Sequence, residues 1–153
     1  MNFKFRMQKV LEHRKTLEDI AKSELEDAIF KFNNEVQNLQ KMIDEKKNSR
    51  VVTYHFQTAN QISSPEKKFI FSQAESFQRL QDIRIETQKE VIRNIEKEVE
   101  AKREFLKIKA IDYKIIDKFK EKKKEQFLEE LKKNEQSQNE ETVMLRFVLG
   151  NKK

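Results

Sequence analysis

Residues that interrupt the backbone are almost absent from this chain. Among 153 residues there is one proline, Pro65, and one glycine, Gly150. A compact domain with several turns normally contains many of both, because they supply the backbone angles that turns require. The chain is therefore expected to form long helices with one decisive interruption near its middle.

The composition supports helices that are largely exposed to water. Charged residues make up 39% of the chain and hydrophobic residues 36%, a mixture typical of long solvated helices rather than of a sheet or a thick core. Low hydrophobicity is also a feature of disordered chains. Twelve phenylalanines and many aliphatic residues recur at helical spacing, however, which favours ordered helix.

Apolar residues of both halves recur at the alternating spacing of three and four residues that is typical of coiled coils. In the first half the row is preceded by a stutter at Leu17, Ala21 and Leu25. In the second half it changes phase slightly after Leu106. The predicted rows are Val10, Leu17, Ala21, Leu25, Ile29, Phe32, Val36, Leu39 and Ile43, and then Ile85, Ile92, Ile95, Val99, Leu106, Ile108, Ile115, Phe119, Leu128 and Leu131.

An uncharged segment separates the two rows. Residues 51–65, "VVTYHFQTANQISSP", contain no Asp, Glu, Lys or Arg. Ser64 is predicted to cap a second helix that begins at Pro65, with Glu66 in its first turn. The predicted fold is all-α, a long antiparallel two-helix coiled-coil hairpin. As a single domain over 1–153 it would comprise helix 1 at about 4–58, a tip at 59–64, helix 2 at 65–140 and a tail at 141–153.

The sequence offers little for catalysis. A single glycine excludes a phosphate-binding loop of the glycine-rich kind, and the absence of cysteine excludes thiolate metal sites. His13 and His55 lie too far apart in a hairpin to share a metal ion. We therefore expect a non-enzymatic protein with no catalytic residue, no metal and no cofactor. No apolar run is long enough to cross a membrane.

Three segments are candidates for binding. Residues 102–124 carry ten Lys or Arg against four Asp or Glu. This segment is either a solvated helix face or a patch for an acidic protein, an anionic membrane or nucleic acid. The apolar start of the second helix, including Phe69, Ile70 and Phe71, is mostly core with a possible exposed remainder. The apolar end, "TVMLRFVLGNKK", is either a last helical turn or a tail that a partner orders.

Both ends of the chain resemble a known family. The opening alternates aromatic and basic residues before a Val-Leu pair and further basic residues, and the far end combines Gln with an acidic pair. This pattern resembles the FliJ family of the bacterial flagellar type III export apparatus, although Ser137 stands where lysine is usual and Glu140 where aspartate is usual. The residues that carry the resemblance are Phe3, Phe5, Arg6, Met7, Gln8, Lys9, Val10, Leu11, Glu12, Arg14, Lys15, Glu135, Gln136, Glu140 and Glu141.

The resemblance implies a role as a stalk. FliJ-like proteins resemble the central stalk of rotary ATPases. They enter the hexameric export ATPase FliI, promote its assembly, link it to the export gate FlhA and escort export chaperones. Phe77 and Leu80 lie near the family's gate-binding segment. The residues that would contact the ATPase are Phe5, Arg6, Lys9, Arg14, Glu135, Gln136, Glu140 and Glu141.

The resemblance also implies a monomer in the cytoplasm that reaches the membrane face through its partners. Three alternatives stay open. The first is a related injectisome stalk protein, and the second is a basic coiled-coil arm that binds RNA, although no nucleic-acid partner is expected from the spacing of the aromatic residues. The third is a structural coiled coil that dimerises through its apolar row.

Overall fold

Two long helices account for nearly the whole chain. The computed structural model describes residues 2–150 and is all-helical: α1 spans Gln8–Thr58 and α2 spans Ser64–Gly150. The helices pack against each other as a helical hairpin, so the predicted fold class is confirmed. α2 continues through residues 141–150 of the predicted tail at 141–153, and residues 151–153 lie outside the described part of the chain.

The turn lies where the uncharged segment predicted it, but the cap is one residue earlier than expected. The backbone carbonyl of Ser63 accepts the first helical hydrogen bond, from Lys67 N at 3.0 Å. Glu66 accepts hydrogen bonds from Ser63 N at 3.2 Å and from Ser63 Oγ at 2.8 Å. Ser63, not Ser64, is therefore the N-cap, and Glu66 supplies the returning half of a capping box.

Most buried and half-buried positions along α1 follow an unbroken heptad spacing, which we call the α1 seam. Leu17 and Ile29 of the predicted row are half-buried beside it. The predicted stutter is wrong, because Arg14 and Glu18 continue the seam between Leu11 and Ala21. Farther along, the seam uses Ala28, Glu35 and Met42, while Val36 and Ile43 are exposed. The α1 seam consists of Leu11, Arg14, Glu18, Ala21, Leu25, Ala28, Phe32, Glu35, Leu39, Met42, Lys46, Ser49 and Thr53.

The matching α2 seam is equally regular. The predicted phase change after Leu106 is wrong: Ile108, Ile115 and Phe119 are exposed, and the seam continues at Lys109, Tyr113, Ile116 and Lys120. Leu128 is also exposed, whereas Leu131 is half-buried. The α2 seam consists of Ala74, Gln78, Gln81, Ile85, Gln88, Ile92, Ile95, Val99, Lys102, Leu106, Lys109, Tyr113, Ile116 and Lys120.

Contacts divide the chain into two compact units. The tip unit is Ala21–Leu106, and the terminal unit comprises the described residues 2–20 and 107–150. Each unit has a thin apolar core: within the described chain the buried hydrophobic residues are Leu11, Ala21, Ala28, Ile85, Val99 and Ile116. That residues 1–153 behave as a single domain stays a prediction.

Candidate partner-binding site

Phe5 of the predicted ATPase-contact set, and Phe3 near it, lie against α2 in the terminal unit. The Phe5 and Phe119 ring centroids are 6.1 Å apart, and those of Phe3 and Phe127 are 5.7 Å apart. Both separations fall within the range at which aromatic rings attract each other. Phe5 is therefore half-buried and holds the segment before α1 against α2.

The basic residues of the set differ in what they contact. Arg14 is half-buried, and its Nη1 donates a 2.8 Å hydrogen bond to the backbone carbonyl of Asp112. Arg6 and Lys9 are exposed. Arg14 thus ties α1 to α2, whereas Arg6 and Lys9 offer positive charge at the surface.

The acidic residues of the set lie farther along α2 than the N-terminal segment reaches. Glu135 follows Phe127 by eight residues, which is about 12 Å along a helix. The structure therefore does not bring Glu135, Gln136, Glu140 and Glu141 together with Phe5 and Arg14. All four are exposed, and Gln136 Nε2 donates to Glu140 Oε1 at 3.4 Å.

An apolar cluster at the end of α2 was not included in the predicted contact set. Every described residue from 132 to 150 is exposed, so the helical end does not cover the root of the hairpin. Large exposed apolar patches commonly mark interaction sites. The signal was present in the apolar composition of this segment, but the sequence left its conformation open. The cluster consists of Val143, Met144, Leu145, Phe147, Val148 and Leu149.

The two predicted gate-binding residues lie in the tip unit. Phe77 is 39% exposed and lines a cleft with Val52, Phe56 and Ile70. Leu80, 58% exposed, lies one helical turn away. A second cleft, between the end of α1 and the start of α2, is lined by residues that include Phe56, Ile70 and Phe71. The apolar residues at the start of α2 thus lie partly in these clefts and partly at the exposed surface.

The resolved pKa shifts in the described chain favour the forms that are already charged at neutral pH. Hydrogen bonds from the side chain and then the backbone of Ser63 lower the pKa of Glu66, and a hydrogen bond from Lys89 lowers the pKa of Glu86. Hydrogen bonds to Glu18 and Asp19 raise the pKa of Lys15, and one to Glu24 raises the pKa of Lys102. Such shifts stabilise ion pairs and caps and do not prepare a general acid or base.

Metal-binding and membrane-spanning features are also absent from residues 2–150. No group of three or more His, Cys, Asp or Glu side chains is placed to hold a metal ion there. Neither α1 nor α2, over the part described, is long and apolar enough to cross a membrane. What the structure offers instead is exposed charge and exposed apolar side chains, which are the means of binding other macromolecules.

Comparison with known proteins gives one match. The family model described as "Flagellar FliJ protein" matches residues 3–152. No curated protein and no solved structure gives a significant match. The match spans both helices and includes all residues of the two predicted contact sets.

Proposed function

The chain belongs to the FliJ family, whose members are non-enzymatic coiled-coil components of flagellar protein export, and we propose that it acts as the stalk of the export ATPase. In this role it binds the hexameric ATPase, promotes assembly of the ring, links the ring to the export gate and escorts export chaperones. It works in the cytoplasm and reaches the membrane face through these partners. The observation that carries the proposal is the family match over nearly the whole chain.

Exposed charge at the ends of the chain supports the ATPase contact. Arg6 and Lys9 before and at the start of α1, and Glu135, Gln136, Glu140 and Glu141 near the end of α2, all face solvent. Exposed ion pairs are individually weak, so contacts of this kind can form and break as a ring cycles. Phe5 and Arg14 act indirectly, by holding the first residues against α2.

The ATPase contact is tested with the export ATPase encoded by the same organism. We expect the wild-type protein to increase ring assembly and ATP hydrolysis, and the variant E135A/E140A/E141A to lose most of this stimulation. The control E26A/E90A/E96A removes the same charge from exposed positions elsewhere and should stimulate normally. A wild-type protein that changes neither assembly nor hydrolysis would refute the stalk role.

Apolar exposure at the tip unit supports the gate contact. Phe77 and Leu80 present apolar surface near clefts that a partner side chain could enter. In a binding assay with the purified gate protein, F77A/L80A should bind at least tenfold more weakly than the wild type. F30A/V91A, which removes exposed apolar side chains at other positions, should bind like the wild type. Equal loss in both variants would argue against a gate contact at Phe77 and Leu80.

A further inference from the structure

An exposed apolar stripe on α2 in the terminal unit lies outside the α2 seam, and Phe119 at its end also packs against Phe5. We define the stripe as Ile108, Ile111, Ile115 and Phe119, which are 55%, 51%, 56% and 41% exposed. At about 100° per residue these four side chains fall within an arc of about 80°. Tyr113 and Ile116 of the α2 seam, which are half-buried and buried, point to a different side of the helix.

Lysines border the stripe. Lys107, Lys114 and Lys118 lie on an arc that adjoins the stripe, and Lys122 continues the arc of the stripe one turn beyond Phe119. On the opposite edge the Lys123 ammonium lies 5.7 Å from the centroid of the Phe119 ring. Asp112 also borders that edge, Glu121 adjoins the lysine row on the side away from the stripe, and Asp117 lies on the far side of the helix.

An apolar stripe beside a row of lysines is typical of helices that lie on anionic membranes. In such helices the apolar side chains enter the boundary between headgroups and acyl chains, while lysines at the edges reach the phosphates. We propose that this face of α2 binds directly to an anionic phospholipid surface, with Ile108, Ile111, Ile115 and Phe119 inserted and the lysine row on the headgroups. This contact is additional to any recruitment through partner proteins and does not depend on the stalk role.

Other occupants fit the face less well. A second copy would bring this strongly basic segment against itself, since residues 107–124 contain eight lysines and three acidic residues, and like charges repel. Nucleic acid would pair with the lysines but would leave three isoleucines without a function, because bases stack on aromatic rings. An anionic membrane surface can contact both the apolar stripe and the lysine row.

Vesicle flotation tests the proposal with the full-length protein. The probes are vesicles of phosphatidylcholine alone and of phosphatidylcholine with an equal amount of phosphatidylglycerol, at low and high salt. The wild type should bind the anionic vesicles at least tenfold more tightly than the neutral ones, and the difference should shrink at high salt. I108Q/I111Q/I115Q should reduce binding to the anionic vesicles at least tenfold, with helix content unchanged by circular dichroism.

Matched variants distinguish binding through the stripe and its lysines from binding through charged or apolar side chains elsewhere on the protein. K114E/K118E/K122E should abolish the preference for anionic vesicles, because each basic residue near such a surface strengthens binding about fivefold. K31E/K41E/K97E makes the same charge change at exposed positions of the tip unit, and F30Q/I83Q/V91Q removes exposed apolar side chains there. Both should retain the preference for anionic vesicles.

Several results would overturn the proposal. One is absence of binding to the anionic vesicles, and another is equal loss in the matched controls. Binding that persists in I108Q/I111Q/I115Q but disappears in V143Q/F147Q would move the membrane contact to the end of α2. Binding to poly-glutamate without binding to vesicles would assign the face to an acidic protein. A dimer mass in light scattering that the isoleucine variant lacks would assign it to a second copy.

Discussion

The two compact units hold α1 and α2 together by different chemistry. In the tip unit the contacts between the helices include directed polar bonds. Gln81 Nε2 donates to the carbonyl of Met42 at 3.3 Å and to Glu45 Oε2 at 2.9 Å, Gln88 donates to the carbonyl and side chain of Glu35, and Lys102 pairs with Glu24 at 2.8 Å. In the terminal unit the contacts include the ring pairs Phe3–Phe127 and Phe5–Phe119, beside one hydrogen bond from Arg14 to the carbonyl of Asp112 and a cation–π contact of Lys15 with Tyr113.

This difference indicates that apolar burial holds the two helices together, whereas polar contacts set their register. Apolar burial is favourable but non-directional, so two apolar rows with a seven-residue repeat can pair in more than one register. A polar side chain at a seam position penalises a register in which its partner is missing, as buried polar residues do in other coiled coils. Gln81 and Gln88 are seven residues apart, and so are Met42 and Glu35, to which they donate. We expect these bonds to set the register of the tip unit.

The largest change in the free energy of unfolding is expected from a substitution in the apolar core of the terminal unit. Ile116 is buried and Ile115, next to it, is 56% exposed. I116A should lower the free energy of unfolding by about 2–3 kcal/mol, because it removes buried methyl groups from a core that has few. I115A is the matched control and should change it by less than about 0.5 kcal/mol. Urea unfolding measures both, and similar losses in the two variants would contradict the assigned α2 seam.

Substitution of a polar seam residue of the tip unit should change the free energy of unfolding in either direction, depending on the residue introduced. Gln81 is 1% exposed, and its Oε1 has no hydrogen-bond partner within the described residues. Q81L should raise the free energy of unfolding by about 1 kcal/mol, because it removes a buried oxygen whose desolvation is not repaid and leaves no cavity. The two hydrogen bonds that it also removes leave little uncompensated, since the Met42 carbonyl lies within α1 and Glu45 is exposed to water. Q81A should lower it by about 1–2 kcal/mol, because it leaves a cavity and removes both hydrogen bonds.

The register is the second readout of this experiment. If Gln81 helps to set the register, paramagnetic labels at exposed positions of the tip unit should report a mixture of distances in Q81L and one distance in the wild type. A stabilised Q81L with one unchanged distance would show that the polar bond is not needed for register.

The positions of the polar seam residues were the part of the fold that the sequence could not supply. Composition, the single proline and the uncharged tip were enough to predict a two-helix hairpin, because they concern each helix by itself. The choice between Ala28 and Ile29, or between Glu35 and Val36, depends on what the other helix places opposite. Gln88 lies opposite Glu35 and bonds to it, so a rule that puts the bulkiest apolar residues in the seam selected the wrong neighbours.

Prediction of the candidate binding site from the sequence was limited for the same reason. The exposed charges at both ends of the chain were identified from the resemblance. That Arg14 is engaged with Asp112, and that Glu135 lies beyond the residues facing the N-terminal segment, depends on the pairing of the helices. The exposed stripe at Ile108 and Ile115 was likewise assigned to the interior, because periodicity along one helix does not say which of two apolar faces is covered.

A smaller effect is expected from the aromatic contact at the start of the chain. F5A should lower the free energy of unfolding by about 1 kcal/mol, since Phe5 is half-buried. A double-mutant cycle of F5A with F119A should give a coupling energy of about 0.5 kcal/mol, near the low end for aromatic pairs because Phe119 is partly exposed. A coupling energy of zero would mean that the two rings contribute independently.

The smallest effect is expected at the cap of α2, and it depends on pH. Hydrogen bonds from the Ser63 side chain and backbone lower the pKa of Glu66 below its ordinary value of 4.5. The stabilisation from this cap is therefore complete above about pH 4.5 and is lost as the pH falls through the lowered pKa of the folded protein. A carboxyl titration by NMR should show the lowered pKa in the wild type and a higher one in S63A. If the pKa of Glu66 is the same in both proteins, the Ser63 hydroxyl does not donate to Glu66 in solution.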